Sequence, residues 1–377
     1  MVCKEFYEAF IAHGLAFFAG VPDSLLKDIC AYITDHADSS HHIITANEGG
    51  AVALVSGYYL ATGKIGVVYL QNSGEGNMVN PLASLADPEV YSIPMLLIIG
   101  WRGEPGVHDE PQHVKQGKIT LDLLTVLGIP FTIVSKDSDI TAMLCEATQY
   151  MKEKQAPFAL VIKKGVFDPY VLQKKAVAPV LELTREDVIK IIARKLDSHD
   201  VVITTTGMTS RELFEYREAN DKNHSRDFLT VGSMGHASQI ALGIAVAQPQ
   251  RTVYCIDGDG AVIMHAGALA IIGNQAPKNF KHIIINNGAH DSVGGQPTAG
   301  FFVDFLAVAK ACGYRAVVRA QTREELEEQY VTLKNVDGPA VLEVRVKKGA
   351  RKDLGRPTTT PQENKEALMV FLKEDTL

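Results

Sequence analysis

Short apolar runs, each followed by a longer stretch of helical period, recur along the whole chain and constrain its fold more than any other feature. Within 17–166 they read FFAGVP, HIITA, IGVVYLQ, PMLLIIGW, PFTIVS and FALVIKK. Beyond 200 they read VVITTTG, FLTVGSM, TVYCIDG, HIIINN, YRAVVRA and AVLEVRV. A strand covered on one face alternates apolar with polar residues, whereas runs apolar at consecutive positions belong to strands covered on both faces. The stretches between them, such as SLLKDICAYITDH, EGGAVALVSGYYLATG and DITAMLCEATQYMKEK, are long enough to be crossover helices. An α/β fold follows, with two doubly wound parallel-sheet domains.

The boundary is placed at KKAVAPVLEL, which gives a first domain at 1–172, a linker at 173–183 and a second domain at 184–377. TREDVIKIIARKL then opens a helix, with Thr184 as cap and Glu186 and Asp187 in its first turn. With 377 residues, 46% of them hydrophobic, the chain can bury two cores. From 347 onward, KKGARKDLGRPTTTPQENKEALMVFLKEDTL is expected to be a surface arm packing on a neighbour. A formal charge of −7 offers no general attraction to nucleic acid or an anionic membrane. Cys3, Cys30, Cys145, Cys255 and Cys312 are odd in number and form no CxxC pair, so free thiols are expected. Glu5 and Glu8 sit where a signal peptide would be basic, and no apolar run is of membrane-spanning length. A cytoplasmic protein is expected.

Chemistry concentrates in the second half. TVYCID runs into Gly258-Asp259-Gly260, a helix-like segment AVIMHAGALAIIGNQ follows, and HIIINN ends at Asn286-Asn287. A right-handed crossover returns the second strand parallel to the first, so Asp259 and Asn287 should meet at the carboxyl edge of the sheet. Open parallel sheets bind ligands at that edge, where glycine turns let the backbone approach phosphate. Oxygen donors there suit Mg²⁺, which keeps positions open for phosphate oxygens. The pattern implies a divalent cation holding a diphosphate.

This arrangement, with residues 261–285 between the two motifs, resembles the signature of thiamine diphosphate enzymes. The resemblance implies metal ligation by Asp259, Asn287 and the backbone oxygen of Ala289, with Gly258, Gly260 and Ala261 beside the diphosphate. It assigns Thr206-Gly207-Met208 to the diphosphate border. In Gly232-Ser233-Met234-Gly235 it makes Met234 the wedge that bends the cofactor and the Gly232 carbonyl an acceptor for its amino group. In Asn47-Glu48-Gly49-Gly50 it makes Glu48 the carboxylate that activates the aminopyrimidine. Alone, each has a plainer reading: a turn, a core methionine, a first-turn glutamate. Their shared order across both halves favours the resemblance, with a pyrimidine-binding domain followed by a diphosphate-binding domain and no middle domain. Thiamine diphosphate and Mg²⁺ are the implied cofactors. The implied assembly is a homo-oligomer, at least a dimer, with active sites at the subunit interface.

The missing middle domain narrows the resemblance to the short decarboxylases of phosphonopyruvate and sulfopyruvate. The strings QNSGEGN and WRGEPGVHDEPQH look more like the former. The implied reaction is non-oxidative decarboxylation of 3-phosphonopyruvate to phosphonoacetaldehyde and CO₂, a step of phosphonate biosynthesis, with sulfopyruvate the alternative. A small dianionic substrate needs cationic and hydrogen-bonding partners. Candidates are Asp23, Ser24, Asn72, Ser73, Arg102, His113, Lys118 and His290, with His108 and Lys115 in the same loop; Asp23 and His113 are also candidates for proton transfer. His41 and His42 read as structural. A nicotinamide oxidoreductase would need GxGxxG, and neither GEGNMV nor GDGAVI supplies the third glycine. A non-catalytic subunit of the same fold would have lost Glu48 or Asp259.

Overall fold

All twelve apolar runs form strands, and every strand pairing is parallel. The computed structural model describes residues 1–174 and 179–373. In the first half the strands are β1 (Phe18–Gly20), β2 (His42–Ile44), β3 (Gly66–Gln71), β4 (Met95–Gly100), β5 (Phe131–Val134) and β6 (Phe158–Ile162). They form one six-stranded sheet in the order β2-β1-β3-β4-β6-β5. In the second half, β7 (Val201–Thr204), β8 (Asp227–Leu229), β9 (Val253–Gly258), β10 (Phe280–Asn286), β11 (Ala316–Ala320) and β12 (Ala340–Arg345) form another, in the order β11-β12-β10-β9-β7-β8. Read from the opposite edge, the second order repeats the first. The chain divides into two units, Met1–Ala176 with Val293–Gln296 and Val177–Ser292 with Pro297–Leu377. Residues 175–178 of the expected linker lie outside the described residues.

Strand β4 shows why the runs are continuous. Leu96 and Ile98 enter one apolar cluster with Phe6, Phe10, Leu144 and Met151. Met95, Leu97 and Ile99 enter another with Val52, Val55 and Leu124 on the opposite face. Tyr254 and Ile256 of β9 alternate with Val253 and Cys255 in the same way. Each buried Leu or Ile contributes about 1.5–3 kcal/mol relative to exposure, so central strands bear apolar residues at every position. All five cysteines are free thiols. Among the described residues, no helix is long and apolar enough to cross a membrane.

Local signals place the helix starts. Thr184 and Asp187 form a reciprocal capping box at the helix Arg185–Lys195. Asn47 caps Glu48–Thr62 by accepting from the Gly50 N–H at 2.8 Å. The segment expected as a single helix after Gly260 is broken into Asp259–Met264 and Gly267–Gln275. His265 leaves helical geometry between them and packs so closely on Gly235 that a side chain there would strike its ring.

Within the chain, the tail closes the edge of its own sheet. The helix Pro361–Lys373 lies along β8, where Asn364 Nδ2 donates to the Asp227 carbonyl at 2.7 Å and Asn364 Oδ1 accepts from the Leu229 N–H at 2.9 Å. One side chain thereby stands in for a neighbouring strand on an open edge. Asn364→Leu leaves both backbone groups buried and unpaired, and is expected to cost about 2–5 kcal/mol of unfolding free energy in urea titrations. An unchanged midpoint would mean that the clip contributes nothing.

Candidate active site

In each sheet, neighbouring strands at which the winding reverses end in site residues. In the second unit these strands are β7 and β9. Beyond β7, Gly207 at φ +94° caps the helix Met208–Asn220, a conformation that suits glycine. The Thr206 hydroxyl donates to the Val231 carbonyl at 2.8 Å and ties this turn to Gly232-Ser233-Met234-Gly235. Ser233 and Gly235 both have positive φ. Met234 is only partly buried and belongs to neither apolar cluster of its unit.

At the end of β9, Gly258 leads into Asp259, which is buried, as is Ala261 in the same helix. Asp259 Oδ2 accepts from the Thr298 hydroxyl, and Oδ1 lies 3.4 Å from the Asn287 N–H. Burial pushes this carboxyl up to about 6, against those hydrogen bonds. Asn286 is wholly buried, donating to the Gly300 carbonyl at 2.7 Å and to Glu343 Oε1 at 2.8 Å. A side chain at Gly300 would collide with Asp259 and Asn286. Asn287 donates through Nδ2 to Asp291 Oδ2 at 2.7 Å, and Ala289 bridges to Pro297. The His290 ring packs near Gly260, and burial lowers it to about 4. Asp259 and Asn287 thus come together, with an all-oxygen donor set suited to a hard divalent cation.

In the first unit the reversing strands are β1 and β3. Glu48 opens its helix with its side chain buried, and Oε2 accepts from Asn77 Nδ2 at 2.7 Å. Burial raises its carboxyl above the usual range, against the pull of Asn77. A side chain at Gly74 would collide with Glu48 Oε1, and one at Gly49 with the Asn77 carbonyl. These two glycines let the turn after β3 close on the glutamate. Next to Gly74 stands Glu75, 3% exposed, with neither carboxyl oxygen hydrogen-bonded. The Thr120 hydroxyl beside it gives its proton to the Gln116 carbonyl at 2.7 Å and accepts from Asn72. Burial pushes Glu75 up to about 8.

The expected substrate residues divide sharply. Asp23 is fully buried, accepting from Gln71 Nε2 at 2.5 Å and from the Leu25 and Leu26 N–H groups at 2.9 and 3.3 Å. Burial raises its carboxyl, against these bonds. Its carboxylate therefore braces the turn after β1. Asn72, also fully buried, brackets Arg102 by donating to its carbonyl at 2.8 Å and accepting from its N–H at 3.1 Å. The Arg102 guanidinium grips Asp109 through Nε at 2.7 Å and through Nη2, and its Nη1 donates to Ser24 Oγ at 2.6 Å. Burial alone would raise Asp109, but the guanidinium and the Glu110 and Gly103 N–H groups outweigh it and hold the carboxyl well below its usual range. The Arg102 cation, a candidate for the anionic group of the substrate, is thus matched by an internal carboxylate. His113 is buried on the helix Pro111–Val126, Lys115, Lys118 and His108 are exposed, and Ser73 Oγ donates to Gln71 Oε1 at 2.6 Å.

Both halves of the chain match known family models. Residues 3–124 match the family described as thiamine pyrophosphate enzyme, N-terminal TPP binding domain, and residues 205–344 match the corresponding C-terminal TPP binding domain. A phosphonopyruvate decarboxylase of Streptomyces viridochromogenes is 35% identical over 377 aligned residues, covering 95% of this chain and 92% of its own. The chain belongs to the thiamine pyrophosphate enzyme family. A phosphonopyruvate decarboxylase of Streptomyces hygroscopicus is 33% identical, covering 96% of this chain and 91% of its own. A sulfopyruvate decarboxylase of Methanosarcina acetivorans is 27% identical, covering 89% of each.

For a thiamine pyrophosphate enzyme, several residues packed against these candidate side chains carry little mark in the sequence. Asn77 and Glu75 lie inside the string QNSGEGN, and their sign was a polar residue beside glycines just past a strand. Asp109 lies within WRGEPGVHDEPQH, where its pairing with Arg102 has no sequence mark. Thr298 and Gly300 reach Asp259 from the far end of a long loop, and nothing local marks them.

Proposed function

We propose that this chain decarboxylates 3-phosphonopyruvate to phosphonoacetaldehyde and CO₂, using thiamine diphosphate held through Mg²⁺. The observation that carries the reading is near full-length similarity to two phosphonopyruvate decarboxylases in a chain that keeps Glu48, Asp259 and Asn287 at the carboxyl edges of its sheets. The residues present fit the cofactor and its cation: a buried carboxylate pushed upward by burial, oxygen donors beside it, and glycine turns with room for phosphate.

When bound, thiamine diphosphate supplies a nucleophilic carbon and an electron sink for the departing CO₂. Asp259, Asn287 and the Ala289 carbonyl would hold Mg²⁺, with Gly207, Met208 and Gly258–Ala261 beside the diphosphate. Met234, partly exposed at its turn, would shape the bound cofactor, and the Gly232 carbonyl would accept from its amino group. Glu48 would hold a proton for the aminopyrimidine, and burial, which raises its carboxyl above the usual range, favours the protonated form that role needs. Ser24 and Arg102 Nη1, already in contact, would meet the phosphonate together with His113 and Lys118. Asp23 and Asn72 would act from behind, by fixing the turns that carry these groups. A cytoplasmic homodimer at minimum completes the reading.

The test is CO₂ release by purified protein with thiamine diphosphate and Mg²⁺. Phosphonopyruvate is expected to exceed pyruvate by about 100-fold or more in kcat/KM, because a site built around a charged group rejects an analogue that leaves it unpaired, and to exceed sulfopyruvate, whose sulfonate carries one charge fewer, by a smaller factor. Equal or reversed rates would overturn the substrate assignment.

A further inference from the structure

Asp291 lies four residues beyond Asn287, and one of its oxygens gathers donors from three separate segments. Asn287 Nδ2 reaches Oδ2 at 2.7 Å, the Gly349 N–H at 2.9 Å and Arg185 Nη1 at 3.3 Å. The Asp291 side chain is 9% exposed. Arg185 opens the helix Arg185–Lys195 and is itself gripped by Glu212, with Nε to Oε2 at 2.8 Å and Nη2 to Oε1 at 2.9 Å. Gly349 follows β12 and has φ +112°. A helix start, the loop after β10 and the loop after β12 therefore converge on this carboxylate.

The chemistry of the contact decides the orientation of a neighbour. An asparagine amide has a donating and an accepting end of nearly equal size, and only its partners select between the two orientations. A carboxylate only accepts, so Asp291 takes the nitrogen end of Asn287 and turns the oxygen end away. That oxygen is 3.0 Å from the Ala289 N–H, beside the carbonyl assigned to the same cation. With the amide reversed, an N–H would face the cation and Asn287 could not ligate it. Groups behind metal ligands commonly set affinity in this way.

We infer that Asp291, anchored by Arg185 and Gly349, is a positioning residue that selects the metal-ligating orientation of Asn287 and so sets the affinity of the site for Mg²⁺. The inference rests on the proposed cation site and is independent of which 2-oxo acid is the substrate.

The experiment titrates Mg²⁺ into purified protein at fixed thiamine diphosphate, without substrate, and reads cofactor binding by calorimetry. Asp291→Ala is expected to raise the half-saturating Mg²⁺ concentration about 10–100-fold. Asp291→Asn keeps an acceptor oxygen but can also present its own N–H groups, and should fall between wild type and Asp291→Ala. If the alanine variant fails to fold, the asparagine variant decides by itself. Half-saturation within about threefold of wild type in a folded variant would overturn the inference, even if its cofactor-free melting temperature had dropped. Failure of wild type to bind thiamine diphosphate in a Mg²⁺-dependent way would instead overturn the cation site.

Discussion

Glu48→Gln is expected to retain thiamine diphosphate and to lose about 10²–10⁴-fold in kcat, the range that one positioned proton-transfer group supplies. The amide keeps the size of the side chain and its acceptor for Asn77 Nδ2, so the turn at Gly74 should survive. What disappears is a carboxyl whose buried setting favours holding a proton. Cofactor content after gel filtration, compared with turnover under saturating substrate, separates the two effects. A variant that turns over at the wild-type rate would remove Glu48 from the chemistry. One that has lost its cofactor would make Glu48 a binding residue instead.

The largest expected effect on stability comes from Glu75. Its carboxyl has an ordinary value of 4.5 and is pushed up to about 8 when folded, since burial disfavours the charged form and the nearby Thr120 hydroxyl offsets this only in part. Between those values the folded state holds more protons than the unfolded chain, so stability falls as pH rises from about 4.5 to 8. Glu75→Gln, neutral throughout, should match wild type near pH 4.5 and gain on it as pH rises. Each tenfold change in proton affinity corresponds to about 1.4 kcal/mol, so the gain approaches an upper limit of about 5 kcal/mol at pH 8 and above. Urea unfolding at pH 5 and pH 8.5 measures it. A difference between variant and wild type that does not change with pH would mean that Glu75 is not buried as a neutral acid.

The sequence revealed most where structure depends on local pattern. The strands followed from their apolar runs because a central parallel strand must satisfy two faces at once, as Leu96 and Leu97 do in opposite clusters. Asp259 and Asn287 were legible because a βαβ unit brings strand ends together whatever else surrounds them. Pairings across long sequence distance were not. Arg185, in the first turn of its helix, is buried on Glu212, and nothing near either residue in the chain marks the pair. Arg102 reads as a cation waiting for an anion, and Asp109 already supplies one. Asp23 and Asn72, candidates for substrate contact, spend their hydrogen bonds on neighbouring turns. A polar side chain at a strand end looks the same in sequence whether it faces ligand or backbone, and only the identity of its partners tells them apart.

The repeated winding order has a consequence for how such a chain can be encoded. Each sheet is complete in itself, and among the described residues no strand of one belongs to the other. A gene cut anywhere between the codons for Ile162 and Val201 would part no strand from its hydrogen-bonded neighbours. Two shorter messages could therefore specify the same pair of sheets as one long message.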